Sequence, residues 1–322
     1  MGELRTHTLS GCNFIRTITL HNITEISEKA FYECRNLEIV VIPETVTKIG
    51  PEAFAWSGLK SINLPDRLTE IGKGVFRWCR NLETVTIPKT VTKIGPEAFT
   101  WSRLKSIILP DGRLTEIGDR AFEHCRKLET VVIPETVTKI GPHAFCDSVL
   151  KSITLLDGRL NEIGEGAFNE CSNLENIVIP ETVTKINSYT FAYSGLKSIT
   201  LPHGLTEIGN SAFDTCRKLE NIVIPETVTK IGRYAFEQSG LKSITLPDGI
   251  TEIEEGVFYK CSNLESIVIP KTVTYICRYA FWCSGLKSII LPHDRVKIGE
   301  DAFHNCSGLV VKYRNQFQCI LQ

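Results

Sequence analysis

Apolar residues recur along the chain with a period of 22 or 23 residues, and each period closes on a phenylalanine. The first half of a period is an alternating apolar run, which in residues 82–102 holds Leu82, Val85 and Ile87. Their spacing is that of a short strand with one buried face, and Pro88 ends it. The pattern therefore predicts one short strand in every period. The repeat phenylalanines are Phe31, Phe54, Phe76, Phe99, Phe122, Phe145, Phe168, Phe191, Phe213, Phe236, Phe258, Phe281 and Phe303.

The second half of a period predicts a turn followed by a helical segment. Val91 and Ile94 continue the apolar core through the turn. Gly95 and Pro96 come next, and proline is favoured at the first position of a helix. Phe99 would then lie on a short helical or 3-10 segment. Because every period holds one strand and one helical segment in the same order, the strands must run parallel.

A repeat of this length that contains one strand is typical of leucine-rich repeats. The predicted fold class is α/β: a right-handed leucine-rich-repeat solenoid of about thirteen 22–23-residue units. Short parallel strands form one face, and short helical or 3-10 segments form the other. We assign residues 1–16 to an N-terminal cap, 17–311 to the solenoid and 312–322 to a C-terminal tail. The solenoid is expected to stop there because Lys312 would fall at a core position of the next strand.

The repeat resembles a known family. Its pattern LxxIxIPxxVxxIGxxAFxxC stands here as LKSITLPHGLTEIGNSAFDTC from Leu196 to Cys216 and as LESIVIPKTVTYICRYAF from Leu264 to Phe281. Over roughly residues 12–312 the chain is similar to the BspA-like, or Treponema pallidum-type, leucine-rich repeats. The resemblance implies a curved solenoid, protein-binding or adhesive roles on microbial surfaces, and no catalytic residues. Members are often secreted, whereas this chain begins MGELRTHTLSGC, without the apolar segment of a secretory signal.

Composition and motifs argue against several classes of function. The net charge of −1 gives no reason to expect a nucleic-acid partner. No apolar run approaches the roughly 18 residues that a membrane-spanning helix needs. None of the seven histidines has a metal-ligand spacing, and the sequence holds no P-loop, GxSxG or GxGxxG motif in a strand–helix context. We therefore predict that the protein is not an enzyme and uses no cofactor or metal.

Twelve cysteines suggest a disulfide framework, but their positions argue against one. Seven lie three residues after a repeat phenylalanine in every second unit, and serine fills that place in the alternate units. Every second unit is roughly 10 Å away or more, whereas a disulfide needs Cα atoms within about 7 Å. We predict a column of buried free thiols, which fits a reducing compartment. The seven are Cys34, Cys79, Cys125, Cys171, Cys216, Cys261 and Cys306.

Two columns of charged residues alternate in sign from unit to unit. The first precedes the strand and runs from Glu38 and Lys60 to Lys287, whereas the second follows the strand and runs from Glu25 to Glu252. A slip by one unit would oppose like charges, so the alternation favours a single stacking order. Exposed ion pairs add little stability. We interpret both columns as structural rather than catalytic.

The chain ends in CILQ, which has the form of a C-a-a-X prenylation box with its cysteine at Cys319. Glutamine at the last position favours a farnesyl group. One lipid gives only marginal membrane binding, so Lys312 and Arg314 would assist near an anionic leaflet. In the alternatives, the four residues occur there by chance, or Cys319 caps the core or pairs with Cys306.

The outward side of the strands is the predicted binding surface. Its β-branched residues could accept a partner along a concave face. Alternatively, they serve only strand packing and propensity. The outward residues include Thr86, Ile108, Val132, Thr154, Val178 and Thr200.

Three tryptophans form a second candidate surface. Trp56, Trp78 and Trp101 each lie two residues after consecutive repeat phenylalanines. Aromatic side chains are favoured at binding hot spots. The alternative is an aromatic rung that covers the edge of the core.

The leading hypothesis is a non-catalytic protein–protein interaction or adhesion module that uses the concave strand face. Prenylated Cys319 would tether it to the cytoplasmic face of the plasma membrane. The alternative is a secreted or surface-exposed adhesin that binds host or matrix proteins without prenylation. In both hypotheses the partner is another protein.

Overall fold

The chain divides into two compact units, unit 1 (Met1–Ser172) and unit 2 (Asn173–Gln322). A computed structural model describes residues 2–314. Each unit is a parallel β-solenoid in which one period of the sequence makes one coil, and the two units together hold about 14 coils.

The described residues of unit 1, 2–172, contain fourteen strands, and the residue pairs between neighbouring strands are parallel. They are β1 (Gly2–Leu4), β2 (Thr17–Thr19), β3 (Ile23–Ile26), β4 (Ile39–Val41), β5 (Lys48–Ile49), β6 (Ser61–Asn63), β7 (Glu70–Ile71), β8 (Thr84–Thr86), β9 (Lys93–Ile94), β10 (Glu116–Ile117), β11 (Thr130–Ile133), β12 (Lys139–Ile140), β13 (Ser152–Leu155) and β14 (Glu162–Ile163).

Over residues 173–314, the part of it that the structure describes, unit 2 continues the numbering with twelve parallel strands. They are β15 (Asn176–Val178), β16 (Lys185–Ile186), β17 (Ser198–Thr200), β18 (Glu207–Ile208), β19 (Lys230–Ile231), β20 (Ser243–Thr245), β21 (Glu252–Ile253), β22 (Ser266–Val268), β23 (Tyr275–Ile276), β24 (Ser288–Leu291), β25 (Lys297–Ile298) and β26 (Val310–Tyr313).

The strands of each unit form two columns, and the sequence predicted only one of them. The long-strand column pairs β2–β4, β6–β8 and β11–β13 in unit 1, and β15–β17 and β20–β22–β24–β26 in unit 2. The short-strand column pairs β1–β3–β5 and β7–β9–β10–β12–β14 in unit 1, and β16–β18–β19 and β21–β23–β25 in unit 2. The segment predicted as a turn through Ile94 is therefore a second, two-residue strand.

The prediction of helical or 3-10 segments around the repeat phenylalanines is wrong, because residues 2–313 form no helix. In the first such segment, the N–H groups of Ala30 and Cys34 donate to the carbonyls of Ser27 and Phe31, three residues earlier. The N–H of Phe31 instead donates to Ala53 of the next coil. An α-helix needs each N–H to bond within its own segment. These segments are therefore chains of tight turns, and they form the turn side of each coil.

Left-handed backbone explains why the turn side cannot become helical. Lys29 and Glu33 have φ of +54° and +58°, and each is the third residue of a turn, where a type II turn needs a positive φ. The same two positions recur in later coils. Gly74 and Gly166 occupy the first of them with φ of +59°, and glycine adopts this conformation without steric cost.

The repeat phenylalanines form one file in each unit, buried except at Phe303, which confirms the stacking predicted from their period. Ring centroids lie 5.1–5.8 Å apart from Phe31 to Phe168 in unit 1. They lie 5.2–5.8 Å apart from Phe191 to Phe303 in unit 2. Most neighbouring rings are nearly parallel, so the file defines the centre of each core.

The cysteine column also lies where the sequence placed it. The described cysteines are free, and six of the seven column members are buried. Cys79 Sγ lies 3.3 Å from Ser57 Oγ of the preceding coil and donates to the Phe54 carbonyl at 3.1 Å. Burial raises the pKa of Cys79 to about 12. Cys79 is therefore a protonated packing group rather than a reactive thiol.

The last described strand contradicts one premise of the predicted end of the repeats. Val311 pairs with Ile289 at the inward position, and Lys312 lies opposite outward-facing Ile290. The prediction that Lys312 takes a core position is therefore wrong, and strand β26 continues through Tyr313.

Candidate binding surfaces

The residues predicted to face outward from the long-strand column do so, and neighbouring coils bring them side by side. Thr86 lies opposite Ile108, Val132 opposite Thr154, and in unit 2 Val178 opposite Thr200. Ile108 is 84% exposed and Val178 is 61% exposed. These six residues form an uncharged row of β-branched side chains in each unit, which we call the strand row. Its role in binding stays a prediction.

Ion pairs border the strand row in both units. Lys60, Lys105 and Lys151 of unit 1 contact glutamates of the preceding coils at 2.8, 2.7 and 2.8 Å. In unit 2, Lys197 and Lys242 make the same contact at 2.8 and 2.6 Å. The hydrogen bond from Lys105 lowers the pKa of Glu83, so Glu83 stays charged near neutral pH. Because the charges are paired, the border adds little net charge to the strand row.

The strand row of unit 1 opens into a cavity of about 830 Å³ that the sequence did not predict. Thr86 and Ile108 line it, together with Pro88, Lys89 and Pro110. Here the long-strand column keeps only an isolated bridge, between Thr86 and Ile108. One signal in the sequence is the extra residue of the PDGRL segment, residues 110–114, compared with most other coils.

The three predicted tryptophans form a stack on the turn side of unit 1. Ring centroids are 4.4 Å apart for Trp56 and Trp78, and 4.7 Å apart for Trp78 and Trp101. All three residues are half-buried and have left-handed backbone. The stack therefore does not join the strand row, and the two candidate surfaces are separate.

Other side chains cover the faces of the stacked rings. The Arg80 guanidinium lies 4.5 Å from the centroid of Trp78, and the His124 ring lies 4.1 Å from that of Trp101. His124 Nδ1 is 2.7 Å from Asp147 Oδ2, and Asp147 also contacts Arg126. Stacking and these contacts cover ring faces of Trp78 and Trp101, which favours the alternative that the stack covers the edge of the core.

Unit 2 carries a second aromatic group that sequence reasoning missed. The Tyr259 and Trp282 rings are 4.7 Å apart and nearly parallel, and Lys260 Nζ lies 5.0 Å from the Tyr259 ring. These aromatic residues follow the repeat phenylalanine by one position rather than two. That spacing is the signal that could have found them.

Residues 2–314 hold no group of three or more histidine, cysteine or acidic side chains placed to bind a metal ion. Nor does this part of the chain contain a helix with the length and apolar character to cross a membrane. Cys319 lies outside the described residues, so its predicted lipidation stays a prediction.

These features define a leucine-rich-repeat solenoid with an uncharged strand row. The chain belongs to the BspA type leucine rich repeat family, whose model matches in six copies over residues 2–113, 92–220 and 184–310. No curated protein matches the chain.

Two solved structures share substantial sequence with the chain. A leucine-rich repeat protein from Bacteroides ovatus is 29% identical, with a TM-score of 0.74, and the match covers 93% of this chain and 83% of that one. A leucine rich cell surface protein from Faecalibacterium prausnitzii is 27% identical, with a TM-score of 0.55, covering 95% and 90%. The pneumococcal vaccine antigen PcpA, at 17% identity and a TM-score of 0.55, covers 92% and 79% and is similar in fold alone.

Proposed function

We propose that the chain is a non-catalytic interaction or adhesion module that binds another protein through its strand row. The observation that carries the proposal is the row of exposed, uncharged residues that lie in register across neighbouring coils. Stacked repeats commonly use such extended, concave surfaces for binding. Burying one exposed Ile or Val against a partner contributes about 1.5–3 kcal/mol, so a few such residues give useful affinity.

Exposed apolar side chains in one row favour a partner with an apolar patch of its own. Ile108 and Val132 provide this surface in unit 1, and Val178 provides it in unit 2. The paired charges at the border would exclude partners that present an unpaired charge to the row.

The test replaces Ile108 and Val132 together with glutamate and compares partners captured by chemical cross-linking in the native cell. We expect the variant to lose the partners that the wild type captures. Leu156→Glu is the matched control, since Leu156 is 40% exposed but follows strand β13 rather than lying in the row. If the double variant keeps every partner, the strand row is not the binding surface.

The membrane tether is a separate part of the proposal. The CILQ sequence supports farnesylation of Cys319 and attachment to the cytoplasmic face of the plasma membrane. This requires Gln322 to be the last residue of the protein. Wild type and Cys319→Ser are to be expressed in a eukaryotic cell and fractionated, with intact mass reporting the lipid. Equal membrane association of the two would contradict the tether.

The second candidate function is an adhesin on the cell surface that binds host or matrix protein without a lipid. Its support is the similarity to the cell surface protein from F. prausnitzii. Labelling intact cells with an impermeant reagent tests it, and we expect the chain to be labelled. Complete protection would contradict the adhesin.

A further inference from the structure

The alternation of serine and cysteine in the thiol column breaks at its first member, Cys34. At the six later members, the cysteine Sγ lies 3.3–3.4 Å from a serine Oγ of the preceding coil. The residue one period before Cys34 is instead Cys12. Two cysteines therefore occupy the positions that a serine and a cysteine share elsewhere in the column.

Backbone contacts show that Cys12 takes the place of the serine. The N–H of Cys12 and the Sγ of Cys34 both donate to the Leu9 carbonyl, at 3.1 and 2.9 Å. In the next pair, a single carbonyl accepts the same two bonds from Ser57 and Cys79, both at 3.1 Å. The local geometry of the cysteine pair is thus that of the serine–cysteine pairs.

Hydrogen bonds on both flanks hold the two turn sides together. The Gly11 N–H donates to the Tyr32 carbonyl at 2.8 Å, and the Arg35 N–H donates to Asn13 Oδ1 at 2.8 Å. Chain segments paired in this way lie about 4.8 Å apart, whereas a disulfide needs Cα atoms within about 7 Å. The spacing of the coils therefore suits a disulfide at this pair.

Exposure separates this pair from the serine–cysteine pairs inside the solenoid. Cys12 is half-buried, whereas Ser57 is only 4% exposed and Cys34 only 1% exposed. Both thiols of the pair are free in the structure. A small molecule can therefore reach Cys12 in the folded protein, and Cys34 lies beneath it.

We propose that Cys12 and Cys34 are an oxidisable dithiol site, which forms a disulfide by exchange with a small-molecule disulfide such as glutathione disulfide. Disulfides persist in oxidising compartments and are rare in the cytosol. The link would thus form where the chain meets oxidising surroundings. The proposal rests on neither the strand row nor the lipid.

The exchange takes place in two steps. The Cys12 thiolate attacks one sulfur of glutathione disulfide, and the other glutathione leaves as a thiolate. Cys34 then loses its proton and attacks the Cys12 sulfur, which releases the second glutathione. Two protein thiols are oxidised, and the two glutathione thiolates take up their protons. Burial raises the pKa of Cys34 to about 11, which makes Cys12 the first thiol to react.

The link would fasten the outermost turn side of unit 1 to the next coil. It closes a ring over residues 12–34, which contains strands β2 and β3. Closing a ring of this size restricts the opened chain. Amide exchange of residues 2–12, which reports local opening, should therefore slow by about tenfold or more in the linked form.

Oxidation of the full-length chain tests the site. The reduced protein is mixed with glutathione disulfide, quenched with N-ethylmaleimide at intervals and mapped by peptide mass. We expect a link between Cys12 and Cys34 while Cys79 stays reduced. Cys12→Ser is the matched control, since it restores the serine–cysteine pair of the other coils, and it should lose the link. Cys34→Ser should instead keep one glutathione on Cys12.

A third variant separates the exposed pair from a buried one. Ser57→Cys places a second cysteine pair in the same geometry inside the solenoid, and it should link at least about tenfold more slowly. Equal rates for the two pairs would show that oxidation needs unfolding, and would overturn the site. It would also be overturned if wild-type Cys12 stayed reduced, kept its glutathione or linked two copies of the chain.

Discussion

Replacing Phe122 with alanine is the sharpest test of the phenylalanine file. Phe122 is fully buried in unit 1, and its ring centroid lies 5.3 Å from that of Phe99 and 5.2 Å from that of Phe145. The substitution removes the ring from the middle of the file, so Phe99 and Phe145 each lose one of their two stacking partners.

The structure indicates that the loss of free energy of unfolding lies in the upper part of the range that is usual for a core Phe→Ala change. Core Phe→Ala changes cost about 3–5 kcal/mol. The two lost ring contacts, at about 0.5–1.5 kcal/mol each, are part of that loss. The coils cannot collapse into the gap, because the N–H groups of Phe99 and Phe122 donate to the next coils at 2.8 Å and fix the spacing. We expect the free energy of unfolding of unit 1 to fall by about 4 kcal/mol.

Urea unfolding followed by tryptophan fluorescence measures this loss, since Trp56, Trp78 and Trp101 lie in unit 1. With a slope of about 1–3 kcal/mol per molar urea, the midpoint should fall by more than about 1 M. Phe14→Ala is the control. Phe14 is 84% exposed, so its loss should stay within about 0.5 kcal/mol. A midpoint for Phe122→Ala no lower than that of Phe14→Ala would refute the reasoning.

Three further predictions follow from the same geometry. Burial raises the pKa of five thiols to about 12: Cys79, Cys125, Cys171, Cys216 and Cys261. They should resist N-ethylmaleimide at pH 8 in the folded protein and react in urea. Peptide mass mapping checks this, and rapid labelling of the folded protein would contradict it. Burial also raises the pKa of Asp214, so the stability that its protonated carboxyl gives the folded protein is lost as pH rises through the folded pKa. Asp214→Asn should therefore stabilise the protein at pH 7 but not at pH 3.5. An equal effect in urea melts at both pH values would count against this. At Glu170, where φ is +60°, the Glu170→Gly variant should be at least as stable as the wild type, and Glu170→Val should be less stable by about 1 kcal/mol or more. In a helix, Glu170→Gly would instead lower the stability by about 1 kcal/mol. Thermal melts of the three proteins decide between these orders.

The stacking of the coils could be predicted from the sequence because it places the same type of residue at the same position of each period. The period gave the phenylalanine file, the cysteine–serine alternation gave the buried thiols, and the charge columns gave pairs such as Lys105 with Glu83. Each is a contact between equivalent positions of neighbouring coils, so aligning the periods of the sequence predicts it directly. The outward positions of Thr86 and Ile108 followed from the same alternation.

The turn side was misread because its local sequence also suits a helix. Pro96 followed by Ala98 and Phe99 is compatible with a helix start. The contrary signal was glycine at Gly74, Gly166 and Gly256, two residues before the phenylalanine, where the backbone is left-handed. Non-glycine residues hold the same conformation in other coils, so tertiary hydrogen bonds override their preference. The cavity beside Ile108 depends on a local loss of strand pairing, which no repeat pattern encodes.

The contacts of Cys79, Cys125 and Cys171 with a serine of the preceding coil constrain how this gene can lengthen or shorten. Removing one coil would bring thiol against thiol and glutamate against glutamate, whereas removing two would restore every neighbour. Natural length variants should therefore arise by duplication or deletion of coil pairs, and their number of coils should change in even steps.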